Sequence, residues 1–180
     1  MLEADAAEPR RLRRALCGID LMLATNTQIE FARLSDAIEI SHLSRDEIEH
    51  GLGWDYTPPK VTRVIKSKSK NIVVARLGGE LVGFGIMTYR QDQANLDLLA
   101  VKKKYRRNKI ATQIVLWLEK VAITSGVFNL FVQLRETNAC AYSLYEYLGY
   151  EKLDVLPRYY KGLENAVVMA KSLRTMINAT

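Results

Sequence analysis

Residues 94–112 read ANLDLLAVKKKYRRNKIAT, and the fold of the whole chain turns on this stretch. It begins as a strand. Leu96, Leu98 and Ala100 alternate with Asn95, Asp97 and Leu99, the period of two that gives a pleated surface two unlike faces. It then becomes a turn carrying Lys102, Lys103, Lys104, Arg106, Arg107 and Lys109. A helix opens directly afterwards, with Ile110, Ile114, Trp117, Leu118 and Val121 at helical spacing. A strand, a cationic turn and a helix start in that order form an anion site, because the backbone N–H groups and the helix dipole point the same way as the basic side chains.

Downstream, the helix is expected to stop at Ser125-Gly126, with a strand over 128–135 after it. A helix capped by Thr137 or Asn138 ends at Gly149. Strands over 150–156 and 165–171 flank the loop Pro157-Arg158-Tyr159-Tyr160-Lys161-Gly162. Upstream, Gly78-Gly79 joins strands 71–77 and 80–89 as a hairpin, and 28–34 alternates as another strand. Between them, Ser35-Asp36 is expected to cap one helix, and Ser44-Arg45-Asp46-Glu47 reads as the capping box of a second. Thr57-Pro58-Pro59 opens a third, 60–67. The step from the 94–101 strand through its helix to 128–135 is a parallel, right-handed crossover. The fold class is mixed α/β.

The chain has 180 residues and is 48% hydrophobic, enough for one domain with a proper core. Its net charge is +6, and the 102–109 run alone carries six positive charges, so the excess is one local patch. A patch of that size fits a compact polyanion better than extended nucleic-acid coverage. Cys17 and Cys140 are read as reduced thiols of a cytoplasmic, bacterial protein, Cys140 as a small buried hydrophobe. His42 and His50 read as surface helix residues and, with no cysteine cluster, give no metal-ligand spacing. No apolar run is long enough to span a membrane. Leu12, Leu16, Ile19 and Leu23 form a stripe that predicts an amphipathic helix over 9–24. Gly18 and Asp20 interrupt its apolar run and argue against a signal peptide. The expected organisation is an N-terminal helical extension (1–27), one domain (28–173) and a short tail (174–180).

The element order and these motifs resemble the GNAT superfamily of acyl-CoA N-acyltransferases. The superfamily's phosphate signature, Gln/Arg-x-x-Gly-x-Gly/Ala, falls on Arg106-Arg107-Asn108-Lys109-Ile110-Ala111, preceded by Leu99-Ala100-Val101. Its second signature falls on Asn138, Ala141, Tyr145 and Gly149-Tyr150. The LYEYLGY helix and the Arg-Tyr-Tyr loop are most similar to the branch that acetylates protein N-terminal alanines. The resemblance implies a mostly antiparallel sheet splayed between two central parallel strands, with helices on both faces. It further implies acetyl-CoA as co-substrate, no metal, and an amine acceptor that is a protein N-terminus, a lysine or a small amine. The enzyme would be a monomer or homodimer with no nucleic-acid or membrane partner.

By the same resemblance, residues from Arg106 to Thr112 hold the coenzyme diphosphate, Leu99, Ala100 and Val101 pair with the pantetheine arm, and Asn138 contacts that arm. Tyr145 is the acid for the leaving thiolate, and Tyr159 and Tyr160 line the acceptor site. Two departures stand out. Lys109 replaces the first signature glycine, so either the turn keeps ordinary helical dihedrals or the ammonium itself meets a phosphate. Gln133 and Asn95 occupy the positions where relatives keep a base, and an amide can hold a water but takes no proton. Asp97, on the Asn95 face, is the nearest carboxylate and the expected base. A coenzyme-binding module without catalysis is the alternative, and a nucleic-acid-binding protein using the basic run is a second.

Overall fold

The computed structural model describes residues 26–49, 51 and 53–174. The expected helix over 9–24 and residues 175–180 of the tail lie outside them. Seven strands form one sheet: β1 (Gln28–Phe31), β2 (Lys70–Leu77), β3 (Glu80–Arg90), β4 (Gln93–Val101), β5 (Asn129–Arg135), β6 (Glu151–Tyr160) and β7 (Glu164–Ser172). Their order is β1-β2-β3-β4-β5-β7-β6. Only β4 and β5 run parallel; every other pairing is antiparallel. Among the described residues the α-helices are α1 (Ala37–Glu47), α2 (Pro58–Ile65), α3 (Ile110–Thr124) and α4 (Ala139–Tyr147).

Each face of the sheet carries its own apolar core. On one face Ile40 and Leu43 of α1 and Val61 and Val64 of α2 cover Ile72, Val74, Leu81, Phe84 and Ile86. On the other, Ile110, Ile114 and Leu118 of α3 and Tyr145 and Leu148 of α4 cover Val73, Met87, Leu96, Leu130 and Val132. The α3 helix sits close to the sheet because Gly85 lacks a side chain: a Cβ there would lie 2.7 Å from Ile114 Cγ2. No real Cβ is tolerated at that distance, so the glycine sets the helix–sheet spacing.

Three local expectations are corrected. The two helices expected over 35–50 are one. Ser44 is buried in mid-helix, and its hydroxyl donates to Glu49 Oε1 at 3.2 Å instead of capping. The 157–162 loop is largely strand, since β6 runs on through Tyr160 and absorbs extra residues as an irregularity between Leu156 and Tyr160. The alternation in β4 is also broken. Ile86 pairs with Leu98 and Met87 with Leu96, which leaves Asp97 as an extra residue in a β-bulge. Leu96 therefore faces the α3 core, whereas Leu98 and Ala100 face the α1/α2 core.

Candidate active site

The bulge has a consequence beside it. β4 and β5 stay in register only from Gln93↔Asn129 to Leu96↔Val132. Beyond that point β5 remains paired with β7 through Arg135, while 97–101 has no strand partner on its β5 side. The splay opens a cavity of about 500 Å³ lined by residues from both faces of the sheet. Asn138, Ala141 and Tyr145 line it from the α4 side. Glu47, Asp97, Gln133, Arg135 and Tyr160 line it from the α1 and β6 side. Leu98 and Leu99 contribute the open strand edge.

Tyr145 is only 4% exposed, and burial raises the pKa of its phenol, with the neighbouring Tyr160 adding to the effect. The group is therefore a neutral O–H donor across the physiological range. An edge-to-face contact with Tyr150, centroids 5.4 Å apart, orients its ring. Asn138 caps α4, its Oδ1 accepting from Ala141 N at 3.1 Å. Gln133 lines the cavity; Asn95, paired with Thr88 across the strand, does not. Tyr160 also lines it, its pKa pushed up to about 12 chiefly by burial, whereas Tyr159 is 51% exposed outside it.

Asp97 does not present a free carboxylate. Its Oδ2 accepts from Lys70 Nζ at 2.7 Å and from the Thr88 hydroxyl. This three-residue cluster ties β2, β3 and the β4 bulge together. Tyr56 lies close enough for the Asp97 charge to help burial push its pKa up to about 12. Sequence reasoning missed Glu47 and Arg135. Glu47 Oε1 accepts from Lys103 N at 3.1 Å and Oε2 pairs with Arg106. Arg135 pairs with Glu164 at 2.9 Å and donates to the Ile48 carbonyl. The sequence marks Glu47 only as part of a capping box and Arg135 by no motif, and both reach the cavity by three-dimensional convergence. Cys140, expected inside, is exposed.

The cationic turn divides into two sets. Lys102 pairs with Glu39 and Glu80, Lys104 with Glu80, and Arg106 with Glu47. Tyr105 also donates to Glu80, and these donors, the phenol first, hold the Glu80 carboxyl down at about 2. Among the described residues, Lys103, Arg107 and Lys109 form no ion pair. Arg107 and Lys109 have φ of 68° and 58°, both left-handed. The question at Lys109 is thereby answered: the backbone takes the conformation a glycine favours and the lysine carries the strain. Asn108, buried between them, donates to the Tyr105 carbonyl at 3.3 Å and holds the turn. No side chain caps α3, so the amides around Ile110, Ala111 and Thr112 have no partner within the helix. Ala100 and Val101 are buried, leaving their backbone as the usable part.

These donors fit a coenzyme diphosphate. Helix-start amides and three uncommitted cations surround one turn, and the unpaired β4 edge leads from it into the cavity. Among the described residues no three His, Cys, Asp or Glu side chains converge as metal ligands. No described helix is long and apolar enough to cross a membrane.

The seven-stranded mixed sheet, splayed at the parallel β4–β5 pair, has the order of a GNAT fold. The profile of the Acetyltransferase (GNAT) family matches residues 38–150, and the chain belongs to that family. It is 32% identical over 95 residues to the [ribosomal protein bS18]-alanine N-acetyltransferase of Escherichia coli K12, a match spanning 51% of this chain and 64% of that relative. The crystal structure of the ribosomal-protein-S18-alanine N-acetyltransferase from Escherichia coli superposes with a TM-score of 0.72 at 24% identity, covering 82% of this chain and 94% of that one. The PaiA N-acetyltransferase of Thermoplasma acidophilum, solved in complex with coenzyme A, superposes at 0.69 with 19% identity, covering 81% and 98%.

Proposed function

We propose that the protein transfers the acetyl group of acetyl-CoA to a primary amine by direct attack in a ternary complex. The observation that carries this is the splay at Leu96/Val132, which puts a buried neutral phenol and an open strand edge in one cavity, with Glu47 of its lining paired to Arg106 of the cationic turn. Amides of Lys109 to Thr112 hold the diphosphate, and Arg107, Lys109 and Lys103 add charge-assisted contacts. Backbone groups of 97–101 accept and donate to the pantetheine amides as an added strand does, and Asn138 lies along the same arm. Acetyl-CoA supplies an activated acyl carbon. As the nitrogen–carbon bond forms and the carbon–sulfur bond breaks, Tyr145 gives its proton to sulfur. Gln133 holds a water that carries the amine proton to solvent, and Asp97 keeps the bulge in place rather than acting as a base.

The similarity to N-terminal alanine acetyltransferases supports a protein N-terminus as acceptor, entering past Tyr159 and Tyr160. Calorimetry with acetyl-CoA and thiol release with a panel of peptides, lysine and small amines test the reading. Binding in the micromolar range with amine-dependent release is expected; absence of both refutes it. A catalytically silent coenzyme-binding module is favoured by one observation, that no carboxylate at the cavity is uncommitted. Tight binding with no thiol release over hours supports it. Nucleic-acid binding is disfavoured because Glu39, Glu47 and Glu80 already neutralise half of the basic run.

A further inference from the structure

We infer that Glu47 is a shared carboxylate: without coenzyme it latches Arg106 of the phosphate turn, and with coenzyme bound it holds the ammonium of the acceptor. The inference rests on the acetyltransferase reading above and deepens it by assigning an acceptor-binding residue and its coupling to the coenzyme.

Glu47 ends α1 and lines the cavity that holds Gln133 and Tyr145. Both of its oxygens are turned towards the phosphate turn, one on Lys103 N and one on the Arg106 guanidinium. Arg106 also donates from Nε to the Val101 carbonyl at 3.2 Å, so its side chain lies back along the β4 edge, away from the left-handed Arg107–Lys109 segment. The other charged groups of the cavity are paired with residues outside the phosphate turn. Asp97 is held by Lys70, and Arg135 by Glu164 and the Ile48 carbonyl.

A diphosphate arriving at the turn brings negative charge within a few ångströms of Arg106 and competes with Glu47 for it. Each anion that draws the guanidinium away frees a carboxylate at the cavity wall, where the ligand it favours is a cation. The acceptor of an acetyl transfer arrives as an ammonium, so the two substrates help each other. By linkage the help is reciprocal: acceptor at Glu47 releases Arg106 for the coenzyme as much as coenzyme at Arg106 releases Glu47 for the acceptor. A mere brace between α1 and the turn predicts otherwise, because losing it weakens both.

The test is a double-mutant cycle on the full chain, with acetyl-CoA binding read by calorimetry and acceptor KM by thiol release. Glu47→Gln keeps an oxygen for Lys103 N but loses the charge. It is expected to tighten acetyl-CoA about two- to five-fold, the scale of one exposed ion pair, and to raise acceptor KM about ten-fold, that of a hydrogen bond to a charged group. In an Arg106→Gln background the gain in acetyl-CoA affinity should vanish. Glu47→Asp, which shortens the reach to Arg106 but keeps the charge, should tighten acetyl-CoA while retaining most of the acceptor affinity; it serves as the second variant if Glu47→Gln does not fold. Weaker or unchanged acetyl-CoA binding in a folded Glu47 variant overturns the latch, as does a gain that persists without Arg106. An unchanged acceptor KM overturns the acceptor role. Failure of the underlying reading looks different, since the wild-type protein then neither binds acetyl-CoA nor releases thiol.

Discussion

Lys109→Gly separates backbone strain from charge at the phosphate turn. Lys109 sits at φ 58°, ψ 11°, directly before α3. Left-handed backbone costs an L-residue about 1–2 kcal/mol. Glycine removes that cost but gives the unfolded chain more freedom to lose, about 0.5–1 kcal/mol. The net expectation is a gain of about 0.5–1 kcal/mol, or about 1–4 °C in melting temperature for a domain of this size. Lys109→Ala keeps a Cβ in the same strained position and is expected to change stability by less than about 0.5 kcal/mol. Both variants lose one of the three uncommitted cations. Each should therefore weaken acetyl-CoA about two- to five-fold at low salt, a loss that shrinks as the ionic strength rises. Thermal unfolding and calorimetry at two salt concentrations read the two effects independently. A glycine variant that melts at or below the alanine variant refutes the strain argument, and a salt-independent loss of affinity refutes the charge argument.

Three further outcomes follow from other parts of the site. Tyr145→Phe should lower turnover by at least about ten-fold, within the range for a lost general acid, with little change in acetyl-CoA affinity; unchanged turnover in steady-state kinetics removes Tyr145 from the acid role. Glu80, whose folded pKa is lowered to about 2 from 4.5, contributes stability that is complete above pH 4.5 and is lost as pH falls towards 2. Melting curves between pH 6 and about 2.5 should therefore slope more steeply for the wild type than for Glu80→Gln. In the core, Glu119 and Lys171 form a buried pair at 2.8 Å between α3 and β7. Glu119→Gln should cost about 3–5 kcal/mol by leaving a buried ammonium, while Glu119→Leu with Lys171→Met should recover most of it in chemical denaturation.

The elements legible in the sequence were those whose signal is local. The Gly78-Gly79 hairpin, the Pro58-Pro59 helix start, the apolar stripe of α3 and the Asn138 cap each reside in a few adjacent residues, and each appears where expected. What failed depended on partners far along the chain. Ser44 has the look of a cap, yet its hydroxyl is consumed by Glu49, whose carboxylate also takes the amides of Asp55 and Tyr56. Leu96, Leu98 and Ala100 alternate faultlessly on paper, but period two assumes an unbroken ladder, and the bulge is fixed by the register against β3. Asp97 was legible as a charge and illegible as a partner of Lys70, 27 residues away.

The basic run makes the same point about function. Six cations in eight positions suggest a uniform field, but the fold assigns them by geometry. Lys102, Lys104 and Arg106 turn to glutamates of α1 and β3, fixing the turn to the sheet, while Lys103, Arg107 and Lys109 form no ion pair among the described residues. Those ion pairs and the Asn108–Tyr105 hydrogen bond flank Arg107 and Lys109, which keep a backbone conformation neither residue prefers. A phosphate-binding turn normally obtains that conformation from glycine. Here a lysine adopts it, so the position carries a cation where glycine would have offered only backbone. Arg106 is the one member of the anchored set whose partner also lines the cavity, and the proposed coupling of coenzyme and acceptor rests on that contact.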